Sequence, residues 1–286
     1  MDADFGAAAD KAHNIREIRR LVMSASKAGA GIIVLPECFN SPYSTDSFAQ
    51  YAEVLDSSAK PATSPTLFAL REMAMGTGAY IFGGSIPEVT AEPETQKFYN
   101  TMLVFSREGT LIGSHRKAHL FDIDIPGQMS FHESATLSAG NAITVVDLPE
   151  YGRVGLGICY DIRFPEMATI ATRKGTFALI YPSAFNSTTG PLHWELLARS
   201  RALDNQLFVA LCSQAFEECS GGYPAWGHSI VAGPNGEILA TAGRGEDIVY
   251  TELDDDSIQR ARRQIPTGSQ KRFDIYPDIS RLARNF

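Results

Sequence analysis

The sequence predicts an α/β fold, and three observations predict it. Continuous apolar runs that read as buried strands alternate with helical segments along the 286 residues. Two strand–turn–strand signals interrupt this alternation, one about Ser106 to Gly109 and one on Pro234-Asn235-Gly236. No repeat, low-complexity linker or break in composition divides the chain. A single domain over 1–286 is therefore expected, with its core at about 10–276 and a tail after it.

Each element has its own signal. In 10–28, Ile15, Ile18, Val22 and Ala25 recur at helical spacing, and Gly29 and Gly31 close the helix. GIIVLPE (31–37) is a buried strand that ends at Pro36, which leaves Glu37 at its C-terminal end. Residues 63–78 carry a Pro in the first turn and a Gly stop, hence a helix, and YIFGGSIPE (80–88) is the next strand. Residues 100–117 form two strands about a turn. Residues 118–142 read as irregular, and so long a loop in a compact domain is usually functional. RVGLGICYD (153–161) is a strand and 164–175 a helix with Pro165 in its first turn. A strand (177–185), a helix (190–205), a strand (207–215) and a hairpin (228–243) follow. DIVYTELD and a basic helix at about 257–264 complete the series.

Composition narrows the function. At 44% hydrophobic and 20% charged the chain can build a large core without disulfide staples. A net charge of -8 argues against a nucleic-acid partner. Cys38, Cys159, Cys212 and Cys219 are scattered and form no CxxC pair, so they read as reduced thiols of a cytoplasmic protein. No apolar run is long enough to span a membrane, and the acidic MDADFGAAAD resembles neither a secretory signal nor a mitochondrial transit peptide. Dinucleotide, P-loop, zinc-protease and serine-elbow motifs are absent. Ser24-x-x-Lys27 lies on an amphipathic helix and reads as surface.

Three polar residues fall at or near strand C-terminal ends, the rim where open α/β sheets place their sites. Cys159, at a strand-to-helix turn, is either a core thiol or a nucleophile whose thiolate and substrate oxyanion could both use backbone N–H groups. Glu37 either ends its strand or, partly desolvated, acts as a base in place of histidine. Lys117 is either a solvated charge or a cation that favours the thiolate and holds an oxyanion. His115, His119 and His132 form no obvious pair with the cysteine.

Together, Glu37 in LPECF, Lys117 in HRKAHLFD and Cys159 in GICYDIRFPE resemble the Glu-Lys-Cys triad of the nitrilase superfamily. More narrowly, LPECFNSPYSTDSFAQYAE, HRKAHLFDIDIPGQMSFHES, YPSAFNSTTGPLHWELLARSRALDNQ and WGHSIVAGPNGEI resemble the omega-amidases. The resemblance implies an αββα four-layer sandwich, a homodimer or higher homo-oligomer, and neither metal nor organic cofactor. It implies that Cys159 attacks an amide, Glu37 shuttles the proton, and Lys117 with the backbone N–H of Tyr160 binds the oxyanion. Glu133 in FHES would position the lysine and the substrate. The implied substrate is a small 2-oxo dicarboxylic monoamide, whose free carboxylate needs a partner. Arg163 is the candidate, since guanidinium grips carboxylates at two points, with Phe185 and Thr189 beside it. Its alternative is a helix-start ion pair with Glu166. Tyr43 and Trp226 are either walls of the pocket or plain core. An amidase for deaminated glutathione and a non-catalytic relative stay open as alternatives. In one respect the chain departs from the pattern: no apolar strand precedes the first helix.

Overall fold

Asp10 starts the first helix by accepting a hydrogen bond from the His13 N–H, and the stripe Ile18, Val22 and Ala25 is buried, as the periodicity requires. The computed structural model describes residues 10–56, 58–91, 93–125, 129–216, 223–272 and 274. The first half of the chain holds α1 (Lys11–Lys27), β1 (Ile32–Val34), α2 (Thr45–Tyr51), α3 (Pro65–Thr77), β2 (Tyr80–Phe82) and β3 (Ile86–Val89). It continues with β4 (Phe98–Phe105), β5 (Leu111–Arg116), β6 (Asp122–Ile125), β7 (Met129–His132) and β8 (Val145–Leu148). The second half holds β9 (Gly152–Leu156), α4 (Pro165–Arg173), β10 (Thr176–Ser183), α5 (Thr189–Asn205) and β11 (Phe208–Ser213). A hairpin of β12 (Ile230–Ala232) and β13 (Ile238–Thr241), then α6 (Asp255–Gln264) and α7 (Thr267–Gln270), complete it.

Two mixed sheets result. One runs β1-β2-β4-β3 with β5 on the other side of β4, and the other runs β13-β12-β11-β10-β9-β8. The period of two along β2 and β4 makes the layers. Phe82, Met102 and Val104 pack with Val154, Leu156 and Ile180 of the second sheet, while Ile81, Leu103 and Phe105 pack with Val22, Leu70 and Met73 of α1 and α3. On the second sheet's outer face Ala168 and Ala171 of α4 and Trp194, Ala198 and Ala202 of α5 join the core. The order is helix, sheet, sheet, helix, the four-layer α/β sandwich that the resemblance implies. Each large side chain buried this way contributes about 1.5–3 kcal/mol.

The structure departs from the sequence reading at several places. The strand expected over 80–88 is two, because Gly84 turns the chain at φ 57° where a Cβ would strike the Pro36 carbonyl. The expected irregular stretch contains the hairpin of β6 and β7, and β8 and α2 carried no signal that the sequence reading picked up. Cys159 lies beyond its strand, in a one-turn 3₁₀ segment Cys159–Arg163.

DIVYTELD, although rich in β-formers, is not a strand. Among the described residues, 247–253 make no backbone–backbone hydrogen bond. A largely apolar cavity of about 930 Å³ explains this. It lies between this segment and β1, and Ile18, Val22, Ile33, Ile180, Leu211 and Ile248 are on its walls. A strand needs a hydrogen-bonding neighbour, and across this gap the described residues supply none. On the described residues β1 pairs with β2 alone, so its other edge faces the cavity. The expected absence of an apolar strand before the first helix concerns residues 1–9, which lie outside the described residues, as do Cys219 and the tail. Among the described residues no helix is long and apolar enough to cross a membrane.

Candidate active site

The parallel strands β1 and β9 both end toward one place, and the chain turns sharply just after each. Glu37 lies three residues past β1, followed by Cys38 at φ 48°. Cys159 lies three residues past β9 at φ 45°. Two non-glycine residues in the left-handed region are costly, and such strain gathers at functional sites. Gly157 lets the second turn pass close to the Tyr181 ring, where a Cβ would collide. Lys117 directly follows β5 and is held by backbone bonds on both sides, its N–H donating to the Asn100 carbonyl and its carbonyl accepting from the Gly140 N–H.

Glu37, Lys117 and Glu133 have no exposure, and Cys159 is 6% exposed. Lys117 is therefore not a solvated charge. Its Nζ donates to Glu37 Oε1 at 3.1 Å and to Glu133 Oε1 at 2.9 Å, with Tyr43 Oη at 3.5 Å. These three acceptors match the three protons of an ammonium. Burial works against its charge, but Glu133 and Glu37 outweigh that and hold the group well above the usual lysine range.

Glu133 is saturated by protein donors. Oε1 also accepts from the Tyr43 hydroxyl at 2.6 Å, and Oε2 accepts from the Phe121 N–H at 2.7 Å. Tyr43, expected at the pocket wall or in the core, is buried with its hydroxyl spent on Glu133 and its ring stacked on Phe131. It belongs to the support of the lysine.

Glu37 is asymmetric. Oε1 accepts from Lys117 and from Asn100 Nδ2 at 2.8 Å, while Oε2 is buried without a hydrogen-bond partner. Burial, and then the charge of Glu133, raises the Glu37 carboxyl above the ordinary glutamate value, against the pull of Lys117.

Burial and then the Glu37 carboxylate push the Cys159 thiol well up, although Lys117 and the Ala184 N–H pull it down. Lys117 favours the thiolate, as its charge predicts, but burial and the Glu37 carboxylate outweigh it. The cluster holds two carboxylates to one ammonium, so a third negative charge is unfavourable unless a carboxylate takes up the proton. The arrangement suits proton transfer from sulfur to Glu37 Oε2 in step with attack.

Sequence reasoning passed over Asn100 and Gln214. Asn100 selects which Glu37 oxygen is engaged, and Gln214 Nε2 ties down the backbone by donating to the Glu37 carbonyl at 2.8 Å and that of Cys38 at 3.3 Å. Neither lies in a motif with a chemical signature, and only the pairing of β4 and the end of β11 brings them here.

Arg163 ends the turn that Cys159 begins. Its guanidinium lies 4.9 Å from the Phe185 ring centre and 5.7 Å from that of Tyr160, and Nη1 donates to His193 Nδ1 at 3.2 Å. The alternative ion pair with Glu166 does not form, and among the described residues no carboxylate pairs with Arg163. Phe185 is buried against Trp194, and the Thr189 hydroxyl donates to Asn186 Oδ1 at 2.9 Å. Trp226 packs over Gly190 at the start of α5.

A family model described as carbon-nitrogen hydrolase matches residues 5–263. The chain belongs to the carbon-nitrogen hydrolase family. This hydrolase is 50% identical to omega-amidase NIT3 of Saccharomyces cerevisiae over 277 residues, 96% of this chain and 93% of that protein. It is 52% identical to omega-amidase NIT2 of Bos taurus over 268 residues, 93% and 92% of the two chains. Among solved structures it superposes on Saccharomyces cerevisiae Nit3, described as a member of branch 10 of the nitrilase superfamily. The TM-score is 0.85 at 47% identity, covering 94% of each chain.

Proposed function

We propose that this carbon-nitrogen hydrolase is an omega-amidase. It hydrolyses the terminal amide of small 2-oxo dicarboxylic monoamides, such as 2-oxoglutaramate and 2-oxosuccinamate, to the 2-oxo acid and ammonia. The near-full-length similarity to omega-amidases supports the activity. One observation carries the substrate class: a guanidinium with no carboxylate partner among the described residues stands one turn from a cysteine backed by a buried Glu-Lys-Glu cluster.

In this reading Glu37 Oε2 accepts the Cys159 proton as sulfur attacks the amide carbon. The oxyanion that forms is held by the Lys117 ammonium and the Tyr160 N–H. Collapse breaks the carbon–nitrogen bond, and the proton on Glu37 leaves with ammonia. Water then loses a proton to Glu37 and attacks the thioester carbon. The sulfur departs and recovers that proton, which restores the resting thiol. Glu133 and Tyr43 hold Lys117 in place throughout. Arg163 binds the substrate's free carboxylate, and the Phe185 face beneath its guanidinium fixes the plane of the pair.

The active form is a homodimer or higher homo-oligomer. Leu192, Leu196 and Leu203 of α5 are 53–63% exposed, and Ile238 and Leu239 of β13 add to the apolar surface. Ammonia release from 2-oxoglutaramate, glutamine and deaminated glutathione tests the assignment. Turnover of the first well above the others is expected. No release from any of the three by folded protein sinks the enzyme reading, and release from deaminated glutathione alone moves the substrate.

A further inference from the structure

His115 and His119 flank Lys117 at two residues on either side, and neither is used in the mechanism above. Both meet the same carboxylate. Asp161, two residues after Cys159, is fully buried. Its Oδ2 lies 3.2 Å from His115 Nε2 and accepts from the Ile158 N–H at 2.9 Å. Its Oδ1 lies 2.7 Å from His119 Nδ1 and accepts from the His119 N–H at 2.9 Å. Its own N–H donates to the Ile158 carbonyl at 3.0 Å.

We propose that Asp161 is a positioning residue for the reaction, a single carboxylate that fixes the turn carrying Cys159 against the segment carrying Lys117.

The geometry argues for this in three ways. First, the four donors fill the capacity of a carboxylate and come from two chain segments only, 115–119 and the residue before the nucleophile. Second, Cys159 sits at φ 45°, a conformation that persists only where its surroundings hold it, and the Ile158 bond closes the turn from outside the backbone. Third, the histidines are themselves fixed. His115 is buried with Nδ1 3.1 Å from the Thr144 hydroxyl, and the His119 ring stacks on Phe164 with centroids 3.6 Å apart. Burial opposes the charge on Asp161, but the bonds from His115 and His119 outweigh it and hold the carboxyl far below the ordinary aspartate range. It therefore stays an acceptor on all four sides. Asp161 touches neither substrate nor proton in the reaction, so it acts through the relative placement of sulfur and ammonium.

The inference rests on the reading of Cys159 as nucleophile and Lys117 as oxyanion donor, and the test separates the two. Steady-state kinetics are measured per active site, counted by alkylation of Cys159, in wild type, Asp161→Asn, His119→Phe and His119→Asn, and per folded chain in Cys159→Ala. Asp161→Asn keeps the shape but turns two acceptor sites into donors that face N–H groups. Its kcat is expected to fall about 100-fold with KM changed less than threefold, the size of effect that a misplacement of about 1 Å produces. His119→Phe keeps the stack on Phe164 but removes a donor, and kcat should fall roughly tenfold. His119→Asn restores a short donor and should recover part of that loss, which a merely structural role does not predict. If Asp161→Asn does not fold, the His119 pair decides alone. Normal kcat per active site in the folded variants, or a change confined to KM, overturns the positioning role while Cys159→Ala stays inactive. Turnover by Cys159→Ala instead overturns the underlying mechanism.

Discussion

The reactive end and the acid-binding end of the candidate site are built on opposite plans. Around Lys117 every charge is buried and, Glu37 Oε2 apart, answered by another group of the protein, down to both oxygens of Glu133. Around Arg163 the guanidinium is half-buried, cushioned on Phe185, and among the described residues has a histidine nitrogen but no carboxylate. The difference teaches where each end obtains its energy. The reactive end is preorganised, with its ammonium and carboxylates already in place before charge develops in the transition state. The acid end keeps a guanidinium with no carboxylate partner among the described residues, which in the proposed function a substrate carboxylate would supply.

If this contrast is right, changes at the reactive end reach kcat and changes at the acid end reach KM. The largest effect belongs to Cys159→Ala, which removes the nucleophile and is expected to lower kcat by on the order of 10⁴-fold or more in an ammonia-release assay. Cys212→Ala should leave it unchanged, because that thiol donates to the Val34 carbonyl and plays no part in the chemistry. Equal behaviour of the two variants breaks the assignment.

Arg163→Ala comes next. Loss of a charge-assisted bond of about 1.5–3 kcal/mol should raise KM for 2-oxoglutaramate roughly 10- to 150-fold with kcat nearly kept. An amide without the far carboxylate should not notice the change. Tyr43→Phe sharpens the other side. It removes one donor to Glu133 and one acceptor near Lys117, so kcat should fall roughly two- to tenfold with KM unchanged.

The pH profile is the gentlest test. Glu37 must be ionised to accept the proton, and its burial raises its pKa above the ordinary 4.5. Activity should therefore rise with pH through a limb displaced above that value. Glu37→Gln should abolish turnover along with the limb. A limb at or below the ordinary value argues against Glu37 as the base.

Much of this was legible in the residues. LPECF, HRKAHLFD and GICYDIRFPE each end a strand, and the hydrophobic pattern that makes those strands also carries Glu37, Lys117 and Cys159 to one rim. Arg163 was legible for the same reason, since it shares a turn with Cys159. Other features left no local trace. Asn100 sits within the strand β4, Gln214 just past β11, and Asp161 inside the nucleophile's own motif, yet their partners lie 63, 177 and 46 residues away. That DIVYTELD is not a strand is of the same kind, because its side chains favour a ladder for which the described residues offer no neighbouring edge.

The sequence by itself determined the layers and the chemical inventory. Periods of 2 and 3.6 residues and the position of each Gly and Pro are local properties, and so is the presence of a thiol, a base and a cation at strand ends. Only the tertiary structure decided their charge states and their freedom. Whether Cys159 rests as a thiol, which oxygen of Glu37 stays open, and whether Arg163 finds a carboxylate all depend on burial and on groups from distant strands. Electrostatics in a dry interior is set by what surrounds a group in space, and sequence spacing does not record that.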